Sequence, residues 1–277
     1  MSSLNVTTAG TPINLEVADS GGSGRPVVLI HGWPMTHESW SLQVSALTNA
    51  GYRVITYDRR GFGQSDKPAD GYDYDTLSDD LAGMLESLDL SDVTLVGFSM
   101  GGGEVARYAA RHGSDRLHSV VFASAVPPYM LHTDDNPDGP LTREATDEMK
   151  DGLQSGGAEF FEGFTTNFFS ADGELTVSDE QLASAREQCA QADHTAALEC
   201  IEAFATTDFR DDLTHISVPT LVLHGSADGI VPIENSGMLT AEAVEGARIH
   251  VIKDGPHGVN VSHAKDFNLA LLTFLEA

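Results

Sequence analysis

The sequence of 277 residues predicts an α/β fold with a mostly parallel central sheet, flanking helices and one mostly helical insertion. Short apolar, β-branched runs alternate with longer helical patterns, which is typical of parallel strands joined by crossover helices. Several of these runs are apolar at successive positions, as in strands that are covered on both faces. The alternation stops once, between residues 127 and 212, where helical patterns follow one another with no buried strand.

The predicted strands and helices follow one another in chain order. The first strands are weak and lie around residues 14–18, and buried runs follow at 27–30, 53–57, 93–96, 119–123, 220–223 and 249–252. The helices are expected at about 38–50, 74–88, 102–111, 234–243 and 263–275. We therefore divide the chain into a first core part (1–126), a helical cap (127–212) and a second core part (213–277). A cap inserted after the strand that ends near Ala123 would cover the C-terminal edge of the sheet, where ligands bind in open α/β sheets.

Composition and charge exclude several classes of partner. The chain has 42 acidic and 15 basic residues, for a formal net charge of −27, which should repel nucleic acid and anionic membrane surfaces. No apolar stretch approaches the roughly 20 residues that span a bilayer. The first residues also lack the basic start and the apolar block of a signal peptide. We expect a soluble, cytoplasmic protein.

The excess of acidic residues also suggests the conditions in which the protein works. The acids are interleaved with well-patterned apolar segments, so the chain is expected to fold rather than to remain disordered. Repulsion between acidic side chains should destabilise the fold at low ionic strength, and salt should screen this repulsion. The composition therefore favours the hypothesis of a salt-rich cytoplasm, as in extreme halophiles.

The sequence predicts neither a disulfide nor a metal site. Cys189 and Cys200 are the only cysteines and lie in a helix-like polar segment, where two free thiols are the favoured interpretation. No Cys-x-x-Cys or other metal-ligand spacing is present. Acidic pairs such as Asp79-Asp80 are expected to be solvated rather than to bind a cation.

Ser99 is the predicted catalytic nucleophile. It lies in Gly97-Phe98-Ser99-Met100-Gly101, which fits the short and common pattern G-x-S-x-G. Here the pattern directly follows a predicted buried strand and opens a predicted helix, which is the setting of a nucleophile elbow. Gly97 and Gly101 lack a Cβ and so let the strand and the helix approach each other. The helix N-terminus favours negative charge on a substrate oxygen. The alternative interpretation is a glycine-rich turn with an incidental serine.

A serine nucleophile needs a base and an acid that orients the base, and in this architecture they follow in the order serine, acid, histidine. Among eleven histidines, His257 is favoured because it follows the last predicted strand and is surrounded by glycine and proline. Asp228 follows the preceding strand and is the favoured acid. Asp254 is the second candidate, although it follows the wrong strand. The three favoured side chains are expected at one edge of the sheet.

The tetrahedral intermediate of such a reaction needs two preorganised N–H donors. Met100, which follows the nucleophile, is one predicted donor. Trp33, in the loop after the strand at 27–30, is the other, because Pro34 has no N–H group. His31 in the same loop is expected to hold the loop rather than to take part in catalysis.

Five segments of the chain carry a resemblance to a known family. They are residues 31–34 (HGWP), 57–66 (YDRRGFGQSD), 71–76 (GYDYDT), 96–108 (VGFSMGGGEVARY) and 255–258 (GPHG). The sequence resembles the bacterial cofactor-free haloperoxidases, also called non-haem chloroperoxidases, which form one group with aryl esterases and perhydrolases. The similarity extends from about Leu15 to Leu275 and is weakest between Met130 and Leu198.

The resemblance implies the α/β-hydrolase fold and a mechanism without metal, haem or another cofactor. The family's catalytic triad falls on Ser99, Asp228 and His257, and its oxyanion donors fall on Trp33 and Met100. The nucleophile would form an acyl-enzyme from a small ester or carboxylic acid. Water would then release a carboxylic acid, whereas hydrogen peroxide would release a peroxyacid that oxidises halide in solution. The resemblance also suggests a homo-oligomer.

The resemblance extends to positions that would contact the substrate. In the family, a proline after the oxyanion aromatic residue accompanies perhydrolysis, and Pro34 occupies that position. Phe160 and Phe164 in the cap are implied, together with Ile230, to line an apolar acyl pocket. The other phenylalanines of the cap are expected to attach it to the core.

Several alternative functions remain open from the residues alone. The same triad would serve a lactonase, a carbon–carbon bond hydrolase or a proline iminopeptidase. A dehalogenase or an epoxide hydrolase would need an aspartate in place of Ser99. A non-catalytic binding protein on the same fold would be expected to have lost a member of the triad.

Overall fold

The structure is a computed structural model that describes residues 2–8 and 11–277. The strands of this part are β1 (Ser2–Thr8), β2 (Thr11–Asp19), β3 (Pro26–Ile30), β4 (Arg53–Tyr57), β5 (Val93–Phe98), β6 (Leu117–Ala123), β7 (Ser170–Ala171), β8 (Glu174–Leu175), β9 (Thr220–Gly225) and β10 (Arg248–Ile252). Eight of them form one sheet in the order β1-β2-β4-β3-β5-β6-β9-β10, whereas β7 and β8 form a small hairpin. All pairs from β4 to β10 in that order are parallel, which confirms the predicted mostly parallel sheet.

Helices flank this sheet on both faces. In the same described part they are α1 (Ser41–Asn49), α2 (Tyr74–Ser87), α3 (Met100–His112), α4 (Arg143–Gly156), α5 (Ala158–Phe168), α6 (Asp179–Cys189), α7 (His194–Thr206), α8 (Arg210–Leu213), α9 (Gly237–Ala243), α10 (Val259–Ser262) and α11 (Ala264–Leu275). Two of the predicted helices begin with a 3₁₀ turn instead of an α-helical one. The one expected at about 38 starts with the 3₁₀ turn His37–Trp40, and the one expected at about 234 starts with the 3₁₀ turn Ile233–Asn235.

The edge of the sheet formed by β1 and β2 extends beyond the weak first strands predicted around residues 14–18. These two strands are antiparallel, and Val6 faces Ile13 across the pair. In β2, buried Leu15 and Val17 alternate with the more exposed Asn14 and Glu16. A half-exposed antiparallel strand shows this alternation, which gives a weaker sequence signal than a strand buried on both faces.

The inner strands are apolar on both faces because each face packs against its own core. Alternate side chains of a strand point to opposite faces. In β3, Val28 and Ile30 belong to one buried cluster, whereas Val27 and Leu29 belong to the other. This arrangement explains why the run at 27–30 contains no polar position.

The segment between β6 and β9 contains α4 to α8 and the small hairpin, and no strand that joins the main sheet. It reaches the loop after β3, since the indole Nε1 of Trp33 donates a hydrogen bond to the carbonyl of Ala197 at 3.1 Å. Cys189 and Cys200 are buried free thiols, as predicted, and burial raises the pKa of each to about 12. The domain boundaries at 127 and 212 stay predictions.

Within the described residues, no helix combines the length and the apolar character needed to cross a membrane.

Candidate active site

Ser99 lies in the turn between the end of β5 and the start of α3. Its backbone has φ 53° and ψ −120°, a conformation that L-residues with a side chain rarely adopt. Two glycines make the turn possible. A Cβ on Gly97 would lie 2.4 Å from the carbonyl oxygen of Gly101, and a Cβ on Gly101 would lie 2.7 Å from that of Ile30. The turn therefore presses strand and helix together and leaves the serine hydroxyl at its apex.

Backbone hydrogen bonds hold Ser99 in this conformation. Its N–H donates to the carbonyl of Ala123 at 2.9 Å, at the end of the neighbouring strand. Its carbonyl accepts from the N–H groups of Gly102 and Val126, at 3.0 and 3.2 Å. The strain at this residue is thus balanced by contacts with β6 and with the segment that follows it.

The structure brings Ser99, His257 and Asp228 together. The Oγ of Ser99 lies 2.9 Å from Nε2 of His257, and Nδ1 of His257 lies 2.8 Å from Oδ2 of Asp228. All three residues are at most 7 % exposed. The second candidate acid, Asp254, lies elsewhere: its carboxylate is 69 % exposed and sits 3.8 Å from the Nζ of Lys253.

The Asp228 carboxylate is held by donors on both of its oxygens. Oδ1 accepts from the backbone N–H groups of Ile230 and Val231, at 3.0 and 2.8 Å. Oδ2 lies near His257 and also 3.2 Å from Nε2 of His224. Burial favours the neutral carboxyl, but the charge of His257 and the hydrogen bonds from His224 and His257 outweigh it. The pKa of Asp228 is therefore held well below its usual range, and the group remains ionised.

His224 is the member of this cluster that the sequence analysis missed. It is completely buried in β9, and its Nε2 lies 2.9 Å from the carbonyl of Val231 as well as close to Asp228. Both neighbours are acceptors, so the hydrogen-bond network assigns the proton to Nε2. Nδ1 has no hydrogen-bond partner among the described residues. The available signal was a polar side chain at a buried strand position four residues before the acid.

Two phenylalanines enclose the ring of His257. The ring centroids of Phe98 and Phe168 lie 5.2 and 4.9 Å from that of His257. The backbone is tied as well, since the N–H of Gly258 donates to the carbonyl of Phe168 at 2.8 Å. These contacts fix the orientation of the imidazole and shield it from water.

Two backbone N–H groups near Ser99 are free to bind an oxyanion. Neither Trp33 nor Met100 donates a backbone hydrogen bond to another described residue. Met100 is the first residue of α3, where helix geometry leaves the N–H without an intrahelical partner. The loop after β3, which carries Trp33 and is called the Trp33 loop below, lies against the serine. A Cβ on Gly32 in this loop would lie 3.0 Å from Cβ of Ser99. Both predicted donors thus belong to segments that meet at the hydroxyl.

His31 occupies a structural position in the Trp33 loop. Its ring is fully buried, with Nδ1 2.9 Å from the carbonyl of Gly32, and Nε2 accepts from the backbone N–H of Arg59 at 3.0 Å. Burial and the charge of Arg59 lower the pKa of His31 to about 3, so the ring is neutral. Arg59 in turn forms a buried ion pair with Glu104 of α3. The loop is therefore connected to the helix that follows Ser99.

A small apolar cavity of about 40 Å³ opens onto Ser99 and His257. Its other lining residues are Trp33, Val126, Met130, Leu141, Met149, Phe164, Phe204, Ile230 and Val231. Two of the predicted pocket residues, Phe164 and Ile230, therefore face this cavity. Phe160 instead packs on Trp33, with ring centroids 6.3 Å apart, and Pro34 is buried outside the lining.

A model of the alpha/beta hydrolase fold family matches residues 25–264 of the chain. A putative non-heme chloroperoxidase from Synechocystis is 43 % identical over 257 residues, which cover 92 % of each chain. A bifunctional esterase/perhydrolase from Acinetobacter calcoaceticus is 34 % identical over 277 residues, covering 99 % of this chain and 100 % of the relative.

Solved structures show the same relationship. The crystal structure of a bromoperoxidase from Bacillus anthracis superposes with a TM-score of 0.95 at 49 % sequence identity and covers 100 % of both chains. The agreement extends over the sheet, the flanking helices and the segment between β6 and β9. The chain belongs to the α/β-hydrolase family and, within it, to the group of the non-haem haloperoxidases.

Proposed function

We propose that the protein is a serine hydrolase that cleaves small carboxylic esters through an acyl-enzyme. In this proposal Ser99 is the nucleophile, His257 the general base and Asp228 the acid that orients the base. The observation that carries it is the pair of hydrogen-bond distances, 2.9 Å from Ser99 to His257 and 2.8 Å from His257 to Asp228, beside an apolar cavity.

The first half of the reaction forms the acyl-enzyme. Nε2 of His257 takes the hydroxyl proton as Oγ of Ser99 attacks the carbonyl carbon of the ester. The carbonyl oxygen becomes an oxyanion, which the N–H groups of Trp33 and Met100 stabilise. When the tetrahedral intermediate collapses, the bond to the alkoxy group breaks, and His257 gives its proton to the leaving alcohol. Asp228 remains ionised and stabilises the imidazolium that forms between these steps.

The second half of the reaction releases the acyl group. His257 removes a proton from water, and the resulting oxygen nucleophile attacks the acyl carbon. The bond to Ser99 then breaks as His257 returns the proton to Oγ of Ser99, which releases a carboxylic acid. Hydrogen peroxide in place of water gives a peroxyacid by the same proton transfers. The peroxyacid transfers one oxygen atom to a halide ion, which gives hypohalous acid and the carboxylate. The esterase/perhydrolase and the chloroperoxidases among the relatives support both branches.

The size of the cavity supports short acyl groups as substrates. At about 40 Å³ it is much smaller than the roughly 300 to 1,000 Å³ of pockets that hold drug-sized ligands. Its lining offers few polar partners besides Ser99 and His257, so the acyl chain would be bound by apolar contact. We therefore place acetyl and propionyl esters first among the substrates.

A fluorophosphonate probe tests the proposal, because it reacts covalently with an activated serine. The wild-type protein should be labelled once per chain and Ser99→Ala should not be labelled. A panel of p-nitrophenyl esters, with and without hydrogen peroxide, should then show hydrolysis in both conditions and peroxyacid in one. Labelling that persists in Ser99→Ala would contradict the assignment of the nucleophile. A labelled enzyme that cleaves no ester would point to another leaving group.

A further inference from the structure

A second cavity, separate from the one at Ser99, lies beside α6. We call it the α6 cavity; its volume is about 220 Å³, and its apolar wall is formed by Met35, Phe98, Phe168 and Phe169. All four of these side chains are about 2 % exposed to solvent. An apolar cavity of about 150 Å³ is large enough to bind benzene, so the α6 cavity has room for a substituted aromatic ring.

Two buried amides line the α6 cavity, and each has one unused hydrogen-bonding atom. The side chains of Gln188 and Asn260 are 6 % and 2 % exposed. Oε1 of Gln188 lies 3.4 Å from the backbone N–H of Thr36, which leaves its Nε2 as the free donor. Nδ2 of Asn260 donates to the carbonyl of Ser39 at 3.0 Å, which leaves its Oδ1 as the free acceptor. Neither free atom has a partner among the described residues.

Neither free atom is among the fully buried polar atoms that lack a partner, so solvent in the cavity reaches both of them. A ligand with matching groups would replace that solvent by direct hydrogen bonds. The matching group accepts a hydrogen bond from Gln188 and donates one to Asn260. A primary amide does both, with its carbonyl oxygen and its N–H. The free donor and the free acceptor thereby select a pair of polar groups in addition to an apolar shape.

The charge around the α6 cavity further narrows the choice of ligand. Two exposed acidic side chains, Glu38 and Glu180, are part of its lining. Their negative charge disfavours a carboxylate, which also has no hydrogen to donate to Asn260. We propose that the α6 cavity is a second binding site, and that its ligand is a neutral aromatic amide.

Benzamide binding, measured by calorimetry or ligand-observed NMR, tests this proposal. The wild-type protein should bind benzamide at least about tenfold more tightly than benzoate, because benzoate is charged and cannot donate. Acetophenone, which accepts but does not donate, should also bind several-fold more weakly than benzamide. Benzamide binding that is undetectable, or no tighter than that of benzoate, would overturn the proposal.

Two tryptophan variants locate the bound ligand. Ser184 is exposed and lines the cavity, so Ser184→Trp should fill it and weaken benzamide binding at least about tenfold. Ala183 is the exposed neighbour on the same helix and does not line the cavity, so Ala183→Trp is the matched control and should bind as the wild type does. Equal affinity in both variants would place benzamide elsewhere and refute the site.

Gln188→Met tests the hydrogen bond by itself. Methionine has a similar length to glutamine and lacks the amide, so benzamide should bind about fivefold more weakly to the variant. Acetophenone uses the same donor and should lose a similar factor, whereas toluene should lose nothing. A variant that binds benzamide as tightly as the wild type would show that Gln188 does not contact the ligand.

Discussion

The carboxylate of Asp228 receives hydrogen bonds from two backbone N–H groups and lies beside two imidazoles. The backbone donors and His257 would be found in many acid–histidine pairs. His224 is an additional side chain, held in β9 with no freedom to turn away. Its Nε2 lies between Oδ2 of Asp228 and the carbonyl of Val231, so it fixes one carboxylate oxygen relative to the strand. We infer that His224 is a positioning residue for the proposed reaction.

Replacing His224 by leucine removes the N–H donor and keeps most of the volume. We expect kcat for ester hydrolysis to fall by at least about tenfold with little change in KM, since a hydrogen bond to a charged group is worth about 1.5–3 kcal/mol. The ionised form of Asp228 loses a donor, so the pKa of Asp228 rises. With fewer hydrogen bonds on it, the Asp228 carboxylate interacts more strongly with the imidazolium of His257, so the acid limb of the kcat/KM profile should move to higher pH.

The matched variant is His224→Gln, whose side-chain N–H can still reach towards Asp228. It should recover most of the lost kcat and return the pH profile towards that of the wild type. Equal losses in both variants, with unchanged pH profiles, would assign His224 a space-filling role.

Pro34 is a second residue whose replacement should alter the proposed chemistry. It restricts the backbone of Trp33 to extended geometry, which would orient the Trp33 carbonyl to accept the peroxide proton. In Pro34→Leu we expect the ratio of perhydrolysis to hydrolysis to fall by about tenfold, which corresponds to about 1.4 kcal/mol in relative barrier. The ratio is measured with one acetyl ester at fixed peroxide. Ratios unchanged in both Pro34→Leu and Pro34→Ala would remove Pro34 from the mechanism.

For individual residues, sequence patterns predicted those features that depend on local context. Ser99 and Asp228 each follow a buried strand, and His257 follows the exposed edge strand β10. All three strands are parallel, so topology alone places the three residues at one edge of the sheet. The contact of His224 with Asp228 has only a weak signal, a histidine at a buried strand position, and such histidines serve many purposes. The ion pair between Arg59 and Glu104 was equally invisible, since it joins positions that only the fold brings together.

Helix α5 is the element that shapes the cavity at Ser99. Two of its phenylalanines differ in what they contact. Phe164 lines the cavity, and its ring centroid lies 5.0 Å from that of Trp33. Phe160 lies one turn earlier, stacks on Phe164 at 6.5 Å and contacts Trp33 from outside the cavity. Replacing either phenylalanine by alanine removes the same side-chain volume, so the two variants can be compared directly.

Phe164→Ala should enlarge the acyl site. Burying two more methylene groups contributes about 0.8 kcal/mol each, so kcat/KM for a butyrate ester relative to an acetate ester should rise by about tenfold. Phe160→Ala is the control and should leave that ratio close to the wild-type value. A ratio that changes equally in both variants would mean that the helix shifts as a whole and that Phe164 has no specific role.

Among the strands, the sequence predicted β3, β4, β5, β6 and β9 within two residues at either end. Strand β1 lies outside the region predicted for the first strands, and β10, predicted as a buried run, is an exposed edge strand. The inner strands are continuous apolar runs because both of their faces are covered, whereas β1 belongs to a half-exposed edge pair. Helix starts were less well predicted. Helix α3 begins at Met100, two residues before the predicted start, because the glycines that discourage a helix are there to let the elbow form.

The net negative charge of the molecule comes from its acidic side chains, which outnumber the lysines and arginines. Several arginines are committed to ion pairs, such as Arg53 with Asp19, Arg107 with Asp212 and Arg210 with Asp208. With 15 lysines and arginines for 42 acidic residues, most acidic side chains have no lysine or arginine of their own to pair with. The acidic excess therefore acts on the folded molecule as a net repulsion, which ions in solution can screen.

We expect the melting temperature to rise with potassium chloride. The Debye length falls from about 10 Å at 0.1 M to about 3 Å at 1 M, so most of the rise should occur within this range. Scanning calorimetry across a potassium chloride series measures it, with sucrose at equal osmolality as the uncharged control. A melting temperature that stays flat or falls with salt would contradict both the repulsion and the hypothesis of a salt-rich cytoplasm.

The two thioethers in the cavity at Ser99 bear on how long the enzyme would last. Met130 and Met149 line the space in which a peroxyacid would be released. Peroxyacids oxidise thioethers, and methionine sulfoxide is polar where the acyl chain needs an apolar wall. On the peroxide branch, each product molecule would therefore leave past a side chain that it can damage. Inactivation of the enzyme would then depend on the number of peroxyacid molecules that it has formed and not on elapsed time.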